Sequence, residues 1–169
     1  MLRLPLPEAG ITAACNFTIA SALLNVISGA SVTLYGPKSK GKRGQLFRET
    51  AEHFYPWELE PAKGISNSKT GAALFYNTFR NPLTHELGRH DSPGPVFVRR
   101  FRAFTESDIE ELETARVRPP GLFNAPTLEQ RPDAHADLHV ESLYWGVRQL
   151  LRRLTDDGDR MAIAERHLQ

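Results

Sequence analysis

The chain has 169 residues and a formal net charge of +1, with 40% hydrophobic and 24% charged residues. These values predict one globular domain over residues 1–169 and exclude a disordered polyelectrolyte. The single cysteine, Cys15, excludes an intramolecular disulfide and suits a reducing compartment.

The N-terminal third has no feature that predicts secretion or a membrane span. The segment "MLRLPLPEAGI" contains two prolines and no sustained apolar core. The longest apolar run, "SALLNVISGASVTLY", is interrupted by Ser, Asn and Gly, and we interpret it as too short and too polar to cross a bilayer. We therefore expect a cytoplasmic protein with no membrane partner.

The first three predicted elements are helices, because apolar residues recur at intervals of three and four. Residues 11–30 form the first helix, and "QLFRETAEHF" forms the second, which Pro56 ends. The third helix begins near Lys69 and ends near Arg80, with Ala72, Phe75 and Phe79 on one face.

The second half of the chain adds a short strand and further helices. Alternation in "VFVRRFRAF" predicts a strand or one arm of a hairpin near residues 96–103. Thr105 is a predicted N-cap for the acidic helix that follows. The segment "DAHADLHVESLYWGVRQLLRRL" predicts one long helix, and residues 156–169 extend it or form a short terminal helix. The fold class is therefore all-α, a compact helical bundle with one small β excursion.

Two basic segments are candidate contacts for RNA or phosphate, although the chain as a whole is nearly neutral. They contribute Lys38, Lys40, Lys42, Arg43, Arg99, Arg100 and Arg102. The alternative is that they form a solvated loop and a half-buried strand with charged outer residues. The loop "GPKSKGKR" nearly matches a phosphate-binding loop, but Arg43 occupies the position of the magnesium-binding Ser or Thr, so a nucleotide hydrolase is not indicated.

The third helix meets a proline, and this junction carries the main functional prediction. In "RNPLTHELG", Asn81 is a favoured N-cap and Pro82 a favoured first residue of a new helix. The N-terminus of such a helix attracts anions. Arg80 and His85 would flank the anion, offering a guanidinium for phosphate charge and an imidazole for proton transfer.

These residues resemble the R-x4–6-H motif of HEPN domains, a family of helical bundles. The resemblance implies that Arg80 and His85 are catalytic, with Asn81 as the polar residue that follows the arginine. It also implies a homodimer in which two motifs meet, and a metal-independent endoribonuclease of bacterial defence or toxin–antitoxin systems. No cofactor or metal is expected, and RNA and an antitoxin or other protein are the expected partners. The alternative is a non-catalytic HEPN-like module that binds RNA, a nucleotide or a protein.

The spacing alone is not specific, because two other Arg–His pairs satisfy it. Arg48 and His53 lie in the second predicted helix, and Arg160 and His167 lie near the C-terminus. The Arg80–His85 pair differs because Asn follows its arginine and a predicted helix start separates its members. HEPN toxins paired with a nucleotidyltransferase antitoxin often carry Tyr two residues after the histidine, where this chain has Leu87.

A metal site is the remaining alternative. His135 and His139 would lie one turn apart on the predicted last helix, and Asp133 or Asp137 could add a ligand. Surface histidines at a helix start explain the same pattern, and no metal ligand is predicted.

Overall fold

The computed structural model describes residues 9–36, 40–59, 65–82, 96–99, 105–115, 126–130 and 136–168. Helices make up 79% of this part of the chain, with six helices and a small sheet of three strands, so the mostly helical fold is confirmed. The helices are α1 (Ala9–Tyr35), α2 (Arg43–Phe54), α3 (Ser68–Leu74, continued by a π-helix over Phe75–Arg80), α4 (Glu106–Thr114), α5 (Val140–Asp156) and α6 (Gly158–Leu168). The strands are β1 (Val96–Arg99), β2 (Leu128–Gln130) and β3 (Ala136–His139).

Helix α1 packs against α2, α5 and α6. Its buried side chains recur every three or four residues and form one stripe: Asn16, Ala20, Leu24, Ile27, Ser31 and Leu34. The segment Asn16–Tyr35 has a mean hydropathy of 1.6 and is long and apolar enough to cross a membrane. The prediction that this run is too short and too polar is therefore wrong in length and composition, and the cytoplasmic location stays a prediction.

An aromatic group links α2 to α3. Tyr55 follows α2, and its ring lies 5.0 Å from that of Phe75 and 4.6 Å from that of Trp57. Trp57 Nε1 donates a hydrogen bond to the carbonyl of Ala51 at 2.8 Å, so the chain turns back onto α2 directly after Pro56. These contacts hold α3 in a fixed position relative to α2.

The sheet is mixed, in the order β1-β3-β2. β1 pairs with β3 in parallel, and β2 pairs with β3 antiparallel. The strand predicted near residues 96–103 is confirmed over Val96–Arg99, and residues 100–103 lie outside the described residues. The partner of β1 is parallel, so β1 and β3 do not form a hairpin. Val98, Leu128 and Leu138 are buried on the face of the sheet that joins the hydrophobic core.

Two predicted helix starts have different outcomes. Thr105 caps α4 as predicted, because its side chain accepts a hydrogen bond from Asp108 N at 3.2 Å while Asp108 Oδ2 accepts one from Thr105 N at 2.8 Å. The long helix predicted from Asp133 begins only at Val140, because residues 136–139 pair with two other strands. His139 is the last residue of β3, so the helical backbone assumed at His139 is wrong. His135 itself lies outside the described residues.

Candidate functional site

The residues before Pro82 form a π-helix rather than a helix end. The backbone N–H of Asn81 donates to the carbonyl of Tyr76, five residues earlier, across the segment Phe75–Arg80. Pro82 has no N–H, and in a regular α-helix its ring would press against the carbonyl of Thr78. The wider turn relieves this clash. Short π-helical turns are uncommon and occur frequently at functional sites.

Asn81 does not cap a new helix in the predicted way. Its backbone angles, φ −64° and ψ −50°, are those of a right-handed helix, whereas an N-cap residue has an extended backbone. Asn81 and Pro82 both continue the helical backbone of α3. The predicted helix start at Pro82 is therefore wrong, and His85 and Leu87 lie outside the described residues.

Arg80, at the end of the π-helix, is held by two neighbours. Its Nε donates a hydrogen bond to Ser28 Oγ of α1 at 3.2 Å, and its Cζ lies 5.7 Å from the centroid of the Tyr76 ring. The side chain is half-buried. Because Nε and the ring fix the guanidinium, its position is set before any ligand binds.

A second arginine reaches the same tyrosine. Arg48 of α2 has its Cζ 5.1 Å from the Tyr76 ring centroid, and its Nη1 lies 3.5 Å from Asn77 Oδ1. Tyr76 also contacts Phe47, with ring centroids 5.5 Å apart. We call Arg48, Tyr76 and Arg80 the Arg–Tyr cluster. It is the place where α2, α3 and the end of the π-helix bring two guanidinium groups to one aromatic ring.

The charge of the Arg–Tyr cluster is positive. Within the described ranges, neither Arg48 nor Arg80 forms an ion pair with a carboxylate. Arginine binds phosphate through a planar set of donors, and an aromatic ring offers a surface on which a base can stack. The cluster therefore has the chemistry of a phosphate or nucleotide contact.

The predicted basic contacts fall into three groups. Lys40, Lys42 and Arg43 are exposed at the start of α2, the helix that carries Arg48. Arg99 is engaged within the protein, because its Nε lies 2.9 Å from Asp137 Oδ2 and its Cζ lies 5.1 Å from the Phe97 ring. The others, Lys38, Arg100 and Arg102, lie outside the described residues.

An open groove of about 490 Å³ lies elsewhere, between the C-terminal end of α1 and helix α6. It is lined by Leu34, Tyr35, Arg160, Ile163, Arg166 and His167. His167 Nδ1 lies 3.1 Å from the carbonyl of Thr33. Arg166 and His167 lie in the last turn of α6, where carbonyl groups carry partial negative charge, so the helix end itself accounts for these two basic side chains. The Arg–Tyr cluster is therefore the better candidate site.

Sequence reasoning found Arg80 but missed Tyr76, Arg48 and Ser28. Tyr76 and Arg80 are four residues apart in α3, a spacing that places side chains on the same side of a helix. Arg48 was interpreted only as one of an ordinary Arg–His pair in the second helix, since its contact with Tyr76 depends on how α2 packs against α3. Ser28 is 52 residues from Arg80, and no local pattern connects them.

Comparisons of the chain with protein-family models, with curated proteins and with solved structures found no match.

Proposed function

We propose that the chain is a metal-independent endoribonuclease of the HEPN type, with Arg80 at the scissile phosphate. The observation that carries this proposal is the position of Arg80. Its guanidinium is fixed by Ser28 and Tyr76, lies beside a second arginine, and belongs to the R-N-x3-H sequence that the family resemblance singles out.

The chemistry requires two groups. The 2′-hydroxyl oxygen of RNA attacks the adjacent phosphorus, the bond to the 5′-oxygen breaks, and a 2′,3′-cyclic phosphate forms. His85 takes the proton of the hydroxyl or supplies one to the leaving oxygen. Arg80 stabilises the negative charge on the phosphate, and Asn81 orients either group. As the resemblance implies, the active form is a homodimer, and an antitoxin or other protein restrains it.

Arg48 and the basic start of α2 support RNA as the substrate. Lys42 and Arg43 are exposed at the N-terminal end of α2, and Arg48 lies further along the same helix. One helix thus carries a cation of the Arg–Tyr cluster and cations that would follow an RNA backbone. Tyr76 supplies a ring for a neighbouring base.

A second candidate is a HEPN-like module that binds RNA, a nucleotide or a partner protein without cleaving. The Arg–Tyr cluster favours it, because two guanidinium groups and a ring suffice for phosphate binding and base stacking. The two candidates differ only in whether His85 performs proton transfer.

Cleavage of mixed RNAs in EDTA tests the proposal, using wild type, H85A, R80A and the matched variant H53A. We expect cleavage with cyclic phosphate ends by wild type and H53A, and none by H85A or R80A. H85A should still bind RNA, and circular dichroism checks that each variant is folded. RNA binding without cleavage by wild type would support the binding module instead. Cleavage that survives in both H85A and R80A would exclude the assigned active site.

A further inference from the structure

The sheet places three metal-ligating side chains together, and none of them is among the residues of the proposed active site. Asp137 and His139 alternate with the buried Ala136 and Leu138 along β3, so they lie on the opposite face of the strand. Glu129 of β2 is the register partner of Asp137. One face of the β2–β3 pair therefore presents two carboxylates and one imidazole.

The ligand atoms of these three side chains are close to one another. A carboxylate oxygen of Glu129, one of Asp137 and a ring nitrogen of His139 all lie within 4.8 Å of each other. Asp137 is 1% exposed and His139 is 4% exposed, while Glu129 is half-buried. Asp137 and His139 are thus shielded from water, whereas Glu129 remains partly accessible to it.

The formal charge of the set attracts a cation. Glu129 and Asp137 supply two carboxylates, and Arg99 Nε lies 2.9 Å from Asp137 Oδ2. Placing carboxylates out of water is costly unless opposite charge accompanies them. A divalent cation supplies that charge directly between Glu129 and Asp137.

We propose that Glu129, Asp137 and His139 bind a divalent cation of the Zn²⁺ class. An imidazole with two carboxylates suits Zn²⁺, whereas Mg²⁺ and Ca²⁺ prefer oxygen ligands alone. Zn²⁺ takes three protein ligands and one water at about 2.0–2.2 Å, which places ligand atoms roughly 3.4 Å apart. The ligand atoms now lie within 4.8 Å of one another, so binding an ion would require the side chains to move closer together.

The site has a structural role that is independent of the proposed ribonuclease activity. β2 and β3 have only three and four residues, and β2 pairs with β3 through three residues. An ion held by Glu129 of β2 and by two residues of β3 would join these strands. Cleavage at Arg80 and His85 needs no metal, so either proposal can fail without the other.

Zinc titration of the full-length protein tests the site, after treatment with EDTA and removal of the chelator. Isothermal titration calorimetry with Zn²⁺ should give a stoichiometry of one ion per chain. Mg²⁺ at the same concentration should not compete with Zn²⁺. Loss of a residue that only hydrogen-bonds a metal ligand weakens metal binding by roughly 10–100-fold. E129Q and H139Q each remove a ligand itself, so each should weaken Zn²⁺ binding by more than that. The thermal unfolding midpoint should rise with Zn²⁺ in wild type and not in E129Q.

Matched variants separate this site from adventitious binding. Glu110 and His53 are exposed on α4 and α2, so E110Q and H53Q should bind Zn²⁺ as wild type does. If the buried H139Q does not fold, the half-buried E129Q decides the outcome. Absence of Zn²⁺ binding by wild type, equal binding by E129Q, loss of binding in H53Q, or competition by Mg²⁺ would each overturn the proposal.

Discussion

Arg48 and Arg80 reach one aromatic ring from two different helices. The Cζ atom of Arg48 lies 5.1 Å from the centroid of Tyr76, and that of Arg80 lies 5.7 Å from it. A cation near the face of a ring is attracted by the negative π surface, and two cations repel each other. Tyr76 therefore offsets part of the repulsion between the arginines, and a bound phosphate would offset more of it.

The ring of Tyr76, rather than its hydroxyl, should matter for RNA binding. We expect Y76F to bind RNA within about twofold of wild type, since cation–π attraction needs only the ring. Y76L should weaken binding by roughly 2- to 5-fold, which corresponds to a cation–π energy of about 0.5–1 kcal/mol. Fluorescence anisotropy with a labelled RNA measures both.

The control for Tyr76 is a second Arg–Tyr contact in the same protein. Arg148 Cζ lies 5.8 Å from the ring of Tyr144 on α5, and neither residue belongs to the candidate site. Y144L should leave RNA affinity unchanged. Equal losses in Y76L and Y144L would show that the effect comes from general destabilisation and not from the Arg–Tyr cluster.

Arg48 should contact one phosphate. Each phosphate neutralised on single-stranded nucleic acid contributes about 0.7 to the slope of log affinity against log salt concentration. We therefore expect R48Q to reduce the magnitude of that slope by about 0.7, measured by anisotropy at several salt concentrations. R166Q is the control: it removes the same formal charge at an exposed arginine of α6 and should leave the slope unchanged. An unaltered slope in R48Q would place Arg48 outside the RNA contact.

Secondary structure could be predicted from the sequence where a local pattern of residues determines it. The apolar stripe of α1, the cap of α4 at Thr105 and the alternation in β1 are local patterns, and each is present in the structure. β3 was missed because Leu138 and Val140 fit both a strand and the start of the following helix. Only pairing with β1 and β2 selects the strand, and those partners are distant in sequence.

The candidate site was predicted in part for the same reason. Pro82 correctly indicated a disturbed helix, but local rules favour an N-cap at Asn81, and the structure instead has a π-turn before the proline. The partners of Arg80 depend on packing of α1 and α2 against α3, which no short motif encodes. The metal-ligand set depends on the register of β2 with β3 and could not be seen from the spacing of histidines.

Gly146 should not tolerate a side chain. A Cβ atom there would collide with the hydroxyl end of Tyr55, a buried residue whose Oη lies 2.8 Å from Thr127 Oγ1. Because the Tyr55 ring is 1% exposed and packs against Trp57 and Phe75, G146A should lower the free energy of unfolding by about 1–3 kcal/mol, as overpacking of a core does. Urea denaturation measures the change.

Gly29 is the matched control for Gly146, since it lies in helix α1 with no atom within 4 Å of an added Cβ. Alanine is the better helix former, so G29A should raise the free energy of unfolding by up to about 1 kcal/mol. Opposite signs for the two substitutions are the expected result. Destabilisation by both would contradict the packing described for α1.

The ion pair between Glu58 and Arg153 should make a small contribution to stability that disappears in acid. The hydrogen bond from Arg153 holds the pKa of Glu58 below its ordinary value of 4.5. A carboxyl group with a lowered pKa stabilises the fold above the unfolded-state value, and this stabilisation is lost as pH falls through the folded-state value. The side chains are 60% and 35% exposed, so solvent screening limits the effect to at most about 1 kcal/mol.

We therefore expect E58Q to unfold at slightly lower urea concentration than wild type at pH 7. The difference should stay constant down to about pH 5 and shrink below 4.5, where wild type loses the same charge. E110Q, which removes an exposed carboxylate with no ion pair in the described part of the chain, should match wild type throughout. A difference between E58Q and wild type that grows as the pH falls would contradict the assigned ion pair.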